Sequence, residues 1–326
     1  MSDLIEVDGL TVHVLIDNTN DSLSSLRPDV ESEFAYLSAH GLTELSGDAI
    51  CCACHGLAYL ITATIGGAER TILFDAGPEE YAFERNVTRL GIDLSPVEAI
   101  VLSHGHWDHA GGMLKALELI RRRDATKTVP YYAHPGMFRQ RANRLVTGEL
   151  LPLKPIPDID ALSARGAAVV ATTQACTLLD GLFYVSGEIP RITSFERGVP
   201  GHQRRTESGD GWEPDPWLMD ERFLAVRVRG KGIVVFSACS HAGIVNVLKE
   251  ARARFPNAPI HGVMGGLHLA GVNETIIPAT VAELKGFELK TIAAGHCTGW
   301  RATTALAAAF GDNILVPTSV GKRYRF

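Results

Sequence analysis

Three times in this chain a short apolar run reaches a histidine and then gives way to a helical pattern. Residues 99–103 lead to His104, residues 232–239 to His241, and residues 291–295 to His296, with helical periodicity over 110–123, 242–255 and 300–310. Strand, loop, helix is the order each time. Repeated units of this kind build a layered α/β structure, in which loops at the carboxyl ends of neighbouring strands converge on one edge of a sheet. Histidines far apart in sequence are thereby expected around a single site.

The rest of the chain fits around these units. Residues 10–16, 57–65 and 71–75 read as strands, the last two separated by Gly66-Gly67, and a short helix is expected over 31–39. Residues 190–220, rich in Gly, Pro, Arg and Trp, read as a long irregular insertion of the sort that forms lids or substrate walls. The end, 313–326, alternates and predicts a strand packed within the chain. With 326 residues and 46% hydrophobic composition, a single large domain over 1–326 is expected.

Charge and composition narrow the function classes. The net charge is -6 and the basic clusters are short, Arg121-Arg122-Arg123 and residues 322–325, so no nucleic-acid partner is expected. No apolar run is long enough to span a bilayer, and the acidic start (Asp3, Glu6, Asp8) is unlike a signal peptide; a cytoplasmic protein with no membrane partner is the expectation. The six cysteines (Cys51, Cys52, Cys54, Cys176, Cys239, Cys297) lack disulfide-scaffold spacing, which also suits a reducing compartment. Cys51, Cys52 and Cys54 lack a second ligand pair for structural zinc and read as small residues entering a strand.

The run Ser103-His104-Gly105-His106-Trp107-Asp108-His109 is hard to explain by packing. Imidazole and carboxylate suit zinc, iron or manganese. His104 and His106, two apart in an extended loop, can point to one side, while Asp108 and His109 at a helix start can reach a second ion.

His104 to Gly112 resembles the HxHxDH signature of the metallo-β-lactamase superfamily. Cys239-Ser240-His241-Ala242-Gly243, Gly265-Gly266-Leu267-His268-Leu269 and Gly295-His296-Cys297-Thr298-Gly299 are similar to one branch of it, the dihydropterin-ribofuranosylaminobenzene-phosphate synthase group, which includes many metallo-hydrolases. Asp17-Asn18, His55-Gly56-Leu57 and Phe74-Asp75-Ala76-Gly77 extend the likeness over nearly the whole chain. The resemblance implies a four-layer αβ/βα sandwich and two divalent ions, zinc first, with manganese or iron as alternatives. It implies His104, His106, Asp108, His109 and His296 as ligands, with Asp75 supporting the metal loop. A third histidine for the first ion would be sought near residue 188, where Glu188 stands. The bridging Asp would lie at the end of the strand 233–238, where Cys239 stands. His241, Cys239 or Glu188 is therefore left to complete the shell.

Two neighbouring divalent ions make hydrolysis the natural chemistry, with Asp108 orienting the nucleophile and His268 handling a proton or contacting substrate. His55 is a candidate for the pocket wall. Arg191 and Trp212, with Arg197, Arg204, Arg205 and Trp217, can face an anionic aromatic small molecule or simply form a solvated loop. His13, His40, His134, His202 and His261 lack matching context and read as ordinary structural or surface histidines. The leading expectation is a metal-dependent hydrolase of a phosphodiester, ester or lactone. The alternatives are a pterin-pathway synthase and a non-catalytic ligand-binding protein on the same fold.

Overall fold

A computed structural model describes residues 4–326. Strands with apolar residues on both faces need cover on both sides, and this chain supplies it by stacking two sheets with helices outside each. In Gly232–Ser237, Val234 and Phe236 point between the sheets, while Ile233 and Val235 point outward against helices. The same two-residue alternation sends Tyr59, Ile61, Ile72, Phe74 and Val101 inward and Leu60, Leu73 and Ile100 outward. The outer apolar layers meet the helices Glu80–Arg89 and Met113–Ile120 on one side and Ile244–Arg254, Ile277–Lys285 and Trp300–Phe310 on the other. Helix, sheet, sheet, helix is the expected four-layer sandwich.

The first sheet has eight strands, in the order Ala167–Ala171, Val129–Ala133, Val97–Val101, Ala68–Phe74, Ala58–Ile65, Gly9–Ile16, Arg323–Arg325 and Val30–Glu31. The first four are mutually parallel and the others antiparallel. The chain end thus pairs inside the molecule, between Gly9–Ile16 and Val30–Glu31. The second sheet has seven strands. Its consecutive members Gly232–Ser237, Ile260–Gly266 and Thr291–Gly295 are parallel, so the loops after them leave from one edge.

Two expectations need correction. The helical pattern over 110–123 is split into Trp107–Ala110 and Met113–Ile120, because Gly111 and Gly112 are pressed against the backbone of Pro78 and Ala76 and leave no room for side chains. The stretch 190–220 is not wholly irregular. His202–Arg205 and Trp212–Pro214 join Arg141–Arg144 and Leu150–Pro152 in a four-stranded antiparallel sheet. Among the described residues, no helix is long and apolar enough to cross a membrane.

Candidate metal centre

The carboxyl ends of parallel strands from both sheets meet at one place, as the histidine spacing predicts. Phe74 ends its strand at Asp75, whose buried carboxylate accepts from the Ser103 backbone N–H (2.8 Å), the Ser103 hydroxyl (2.7 Å) and His109 Nδ1 (2.7 Å). One carboxylate therefore fixes both the start and the end of the histidine loop. Gly105 is required within it, since a Cβ there would run into the Arg141 guanidinium and the Met137 backbone. Its N–H donates to buried Asp220 (2.9 Å), which also pairs with Arg141 (2.7 Å).

The outer nitrogens of the loop histidines are occupied by groups that dictate where the protons sit. Ser103 spends its hydroxyl hydrogen on Asp75, so His104 Nδ1–H donates to Ser103 Oγ (2.9 Å). His109 Nδ1–H donates to Asp75, and His296 Nδ1–H donates to Asn18 Oδ1 (2.9 Å). His202 Nδ1–H donates to the Asp215 carbonyl (3.2 Å), leaving its Nε2 to accept from His106 Nε2–H (2.9 Å). The remaining ring nitrogens of His104, His106, His109 and His296 face inward.

Two triads result. His104 Nε2 lies 3.0 Å from His106 Nδ1 and 3.1 Å from His241 Nε2. His109 Nε2 lies 3.2 Å from His296 Nε2, with Asp108 Oδ2 3.7 and 3.5 Å from the two nitrogens. Burial, reinforced by neighbouring imidazoles, holds His104, His106 and His241 well below the ordinary histidine range, so they are neutral ligand forms. The second triad is more charged. Although burial works against it, His109 is held up to about 9 by the flanking Asp108 and Asp75 carboxylates. Burial likewise opposes ionisation of Asp108, but His109, His55 and His296 keep it far below the usual carboxylate range. His296 is lowered to about 4, mainly by burial.

In the first triad His104 Nε2 and His106 Nδ1 aim lone pairs at each other at 3.0 Å, which repel unless a cation lies between them. In the second, the charge on His109 lets its Nε2–H donate to His296 Nε2 where no ion takes the proton's place. These donors are those zinc prefers. His241 Nδ1, across the ring from the nitrogen that faces His104, is buried with no hydrogen-bond partner. His104, His106 and His241 form one donor set that could hold a divalent ion, and Asp108, His109 and His296 form a second. Cys239 Sγ lies within 4.8 Å of donor atoms of both His104 and His109, between the triads. Glu188 does not enter this shell: it sits 3.2 Å from His134 Nε2.

The backbone is strained where it aims these groups. Asp75, Ser240, His268 and His296 all take positive φ, at 61°, 52°, 46° and 47°. For residues other than glycine this costs about 1–3 kcal/mol each and persists where surrounding structure enforces it. Part of that enforcement is Glu221, buried, which accepts from the His241 and Ala242 N–H groups at 2.8 and 2.6 Å.

A cavity of about 560 Å³ opens over the triads, walled by Trp107, Leu153, Val199 and Ala270 together with Asn143, His55, His202 and His268. His55 stands at its rim, with Nε2 3.3 Å from Asp108 Oδ2 and Nδ1 accepting from Asn18 (3.0 Å). Arg191 and Trp212 do not line it. The Arg191 guanidinium is turned to the backbone carbonyls of Ile189, Trp217 and Leu218, and Trp212 lies under Arg205, 4.4 Å from the ring centre. His202, read from sequence as ordinary, belongs to the site. Cys51, Cys52 and Cys54 join no metal-donor group among the described residues.

Residues 53–188 match the family model for the metallo-beta-lactamase superfamily, and this chain belongs to that superfamily. It is 30% identical over 270 residues to the 7,8-dihydropterin-6-methyl-4-(beta-D-ribofuranosyl)-aminobenzene-5'-phosphate synthase of Methanocaldococcus jannaschii, covering 79% of this chain and 86% of that protein. Among solved structures, Tm1679, a metal-dependent hydrolase of the beta-lactamase superfamily, aligns with a TM-score of 0.70 at 21% identity over 96% of this chain and 98% of its own. The metallo-beta-lactamase fold protein YhfI from Bacillus subtilis aligns with a TM-score of 0.52 at 12% identity, over 98% and 100%.

Proposed function

We propose that the protein is a metal-dependent hydrolase acting on a small molecule through a phosphodiester, ester or lactone bond. The observation that carries this reading is the pair of adjacent donor triads, His104/His106/His241 and Asp108/His109/His296, with His106, His241, Asp108 and His296 lining one cavity. Divalent ions held by these residues would lower the pKa of a bound water and polarise a carbonyl or phosphoryl oxygen. The chain's own residues do the rest. Asp108, kept ionised, orients the attacking group by accepting its hydrogen bond. His268 lines the cavity and, held above its ordinary range by Cys297 despite burial, donates a proton to the leaving group. Trp107, Leu153 and Val199 exclude bulk water from the reacting bond. No Lys or Arg lines the cavity among the described residues, which favours a substrate whose non-reacting part is uncharged over one clamped by a salt bridge.

The test is a panel of phosphodiesters, esters and lactones assayed with zinc or manganese. The expected result is turnover by the metal-loaded protein and loss of both metal and turnover in His104→Ala. Full activity in metal-free protein would sink the reading.

The likeness to the Methanocaldococcus jannaschii synthase favours a second reading, condensation of a dihydropterin with an aryl amine bearing a ribosyl phosphate. It requires binding of a dihydropterin and product formation without net hydrolysis, and the same panel with these substrates separates the two.

A further inference from the structure

Beyond the two triads, the cavity floor holds donors that neither triad uses. Cys239, His268 and Cys297 follow three consecutive parallel strands, Gly232–Ser237, Ile260–Gly266 and Thr291–Gly295, so three separate loops deliver them to one point. Cys239 Sγ is 3.0 Å from Cys297 Sγ and 3.4 Å from His268 Nδ1, and all three donor atoms lie within 4.8 Å of one another. Positive φ at His268 turns its ring toward the thiols, and a Cβ at Gly266 would sit 2.6 Å from Cys297 Sγ, so glycine leaves the space that this thiol occupies.

We propose that Cys239, His268 and Cys297 form a third cation site, for a thiophilic ion such as zinc or cuprous copper, open to the substrate cavity. Two sulfurs and one imidazole nitrogen are soft to borderline donors that select such ions over magnesium or calcium. Tetrahedral bonds of about 2.3 Å place two sulfurs about 3.8 Å apart, so loading separates Cys239 and Cys297 by less than about 1 Å, within the reach of side-chain rotation. Three protein ligands facing a cavity leave a fourth position for a small molecule, the arrangement of catalytic rather than structural zinc sites. His268 ligates through Nδ1 and keeps Nε2–H for the cavity. Cys239 is shared with the neighbouring pair and His268 also serves the proposed hydrolysis through Nε2–H, whereas Cys297 belongs to the third site alone. The site therefore touches the dinuclear reading through Cys239 and His268.

The experiment is elemental analysis of the full-length protein after dialysis against zinc, for the wild type, Cys297→Ser and His268→Ala. Three ions per chain are expected in the wild type and two in each variant. With cobalt in place of zinc, the thiolate-to-cobalt absorption should fall about twofold in Cys297→Ser, a readout independent of turnover. Two ions in all three proteins overturns the third site and leaves the pair standing; fewer than two in the wild type overturns both. Recovery of a Cys239–Cys297 disulfide from acid-trapped, metal-loaded protein also overturns it.

Discussion

Replacing His202 with phenylalanine is expected to weaken the first cation position while sparing the second. His202 Nε2 accepts from His106 Nε2–H at 2.9 Å, and this bond keeps the lone pair of His106 Nδ1 pointed at His104 and His241. A phenyl ring fills the volume but cannot accept. His106 must then bury an unpaired N–H, at about 1–3 kcal/mol, or move its proton to the nitrogen that has to ligate. Losses of outer partners of this kind weaken metal binding by about 10–100-fold, or about 1.4–2.7 kcal/mol. The assay is stepwise zinc titration against a chromophoric chelator. His202 touches none of Asp108, His109 and His296, so the binding constant assigned to that triad should hold. His202→Gln, which retains an acceptor, should recover most of the loss. An unchanged first constant, or an equal fall in both, refutes the tautomer argument.

Other consequences can be checked independently. Burial, with His40 and Arg325 nearby, lowers His13 to about 4 from 6.5. The unfolded chain therefore takes up the proton first as pH falls, and stability held above pH 6.5 is lost progressively down to about pH 4. By pH 5 this one group costs about 2 kcal/mol, a slope that His13→Gln should remove in urea unfolding at pH 7 and 5; parallel curves for both proteins would refute it. Gly105→Ala forces a methyl group onto Arg141 and Met137 and should destabilise the fold by about 1–3 kcal/mol, read as a lower Tm; an unchanged Tm contradicts the packing described. Stripping divalent ions with chelator should also lower Tm, by the equivalent of about 4 kcal/mol for a site previously held at a thousandfold excess over its Kd. A Tm indifferent to chelation argues against the triads as ion sites.

The loop from His104 to His109 was legible because its signal is local: a strand, four chemically unusual residues and a helix start follow one another directly. His241 and His296 were legible for the same reason, each standing at the end of an apolar run. His202 was not. It lies in the short polar strand His202–Arg205, which lacks alternating apolar residues, and reaches the site only because that strand pairs with Arg141–Arg144. Glu188 failed in the opposite way: its place in sequence suggested a ligand, but its partner is His134. Arg191 and Trp212 stand out by residue type alone, and residue type does not say which way a side chain turns. The break at Gly111 and Gly112 depends on the approach of Pro78 and Ala76, a tertiary contact that periodicity cannot reveal.

Each donor triad draws two members from the segment 104–109 that follows Val97–Val101 in the first sheet and one from a loop of the second, His241 or His296. Neither sheet alone presents three donors to either position. Before the two sheets have docked, neither half can complete either triad, and the pairs and single ligands it offers at those two positions hold ions loosely. Tight ion uptake at the triads would thus report completed assembly, and a chain that misaligned its halves would leave both positions empty.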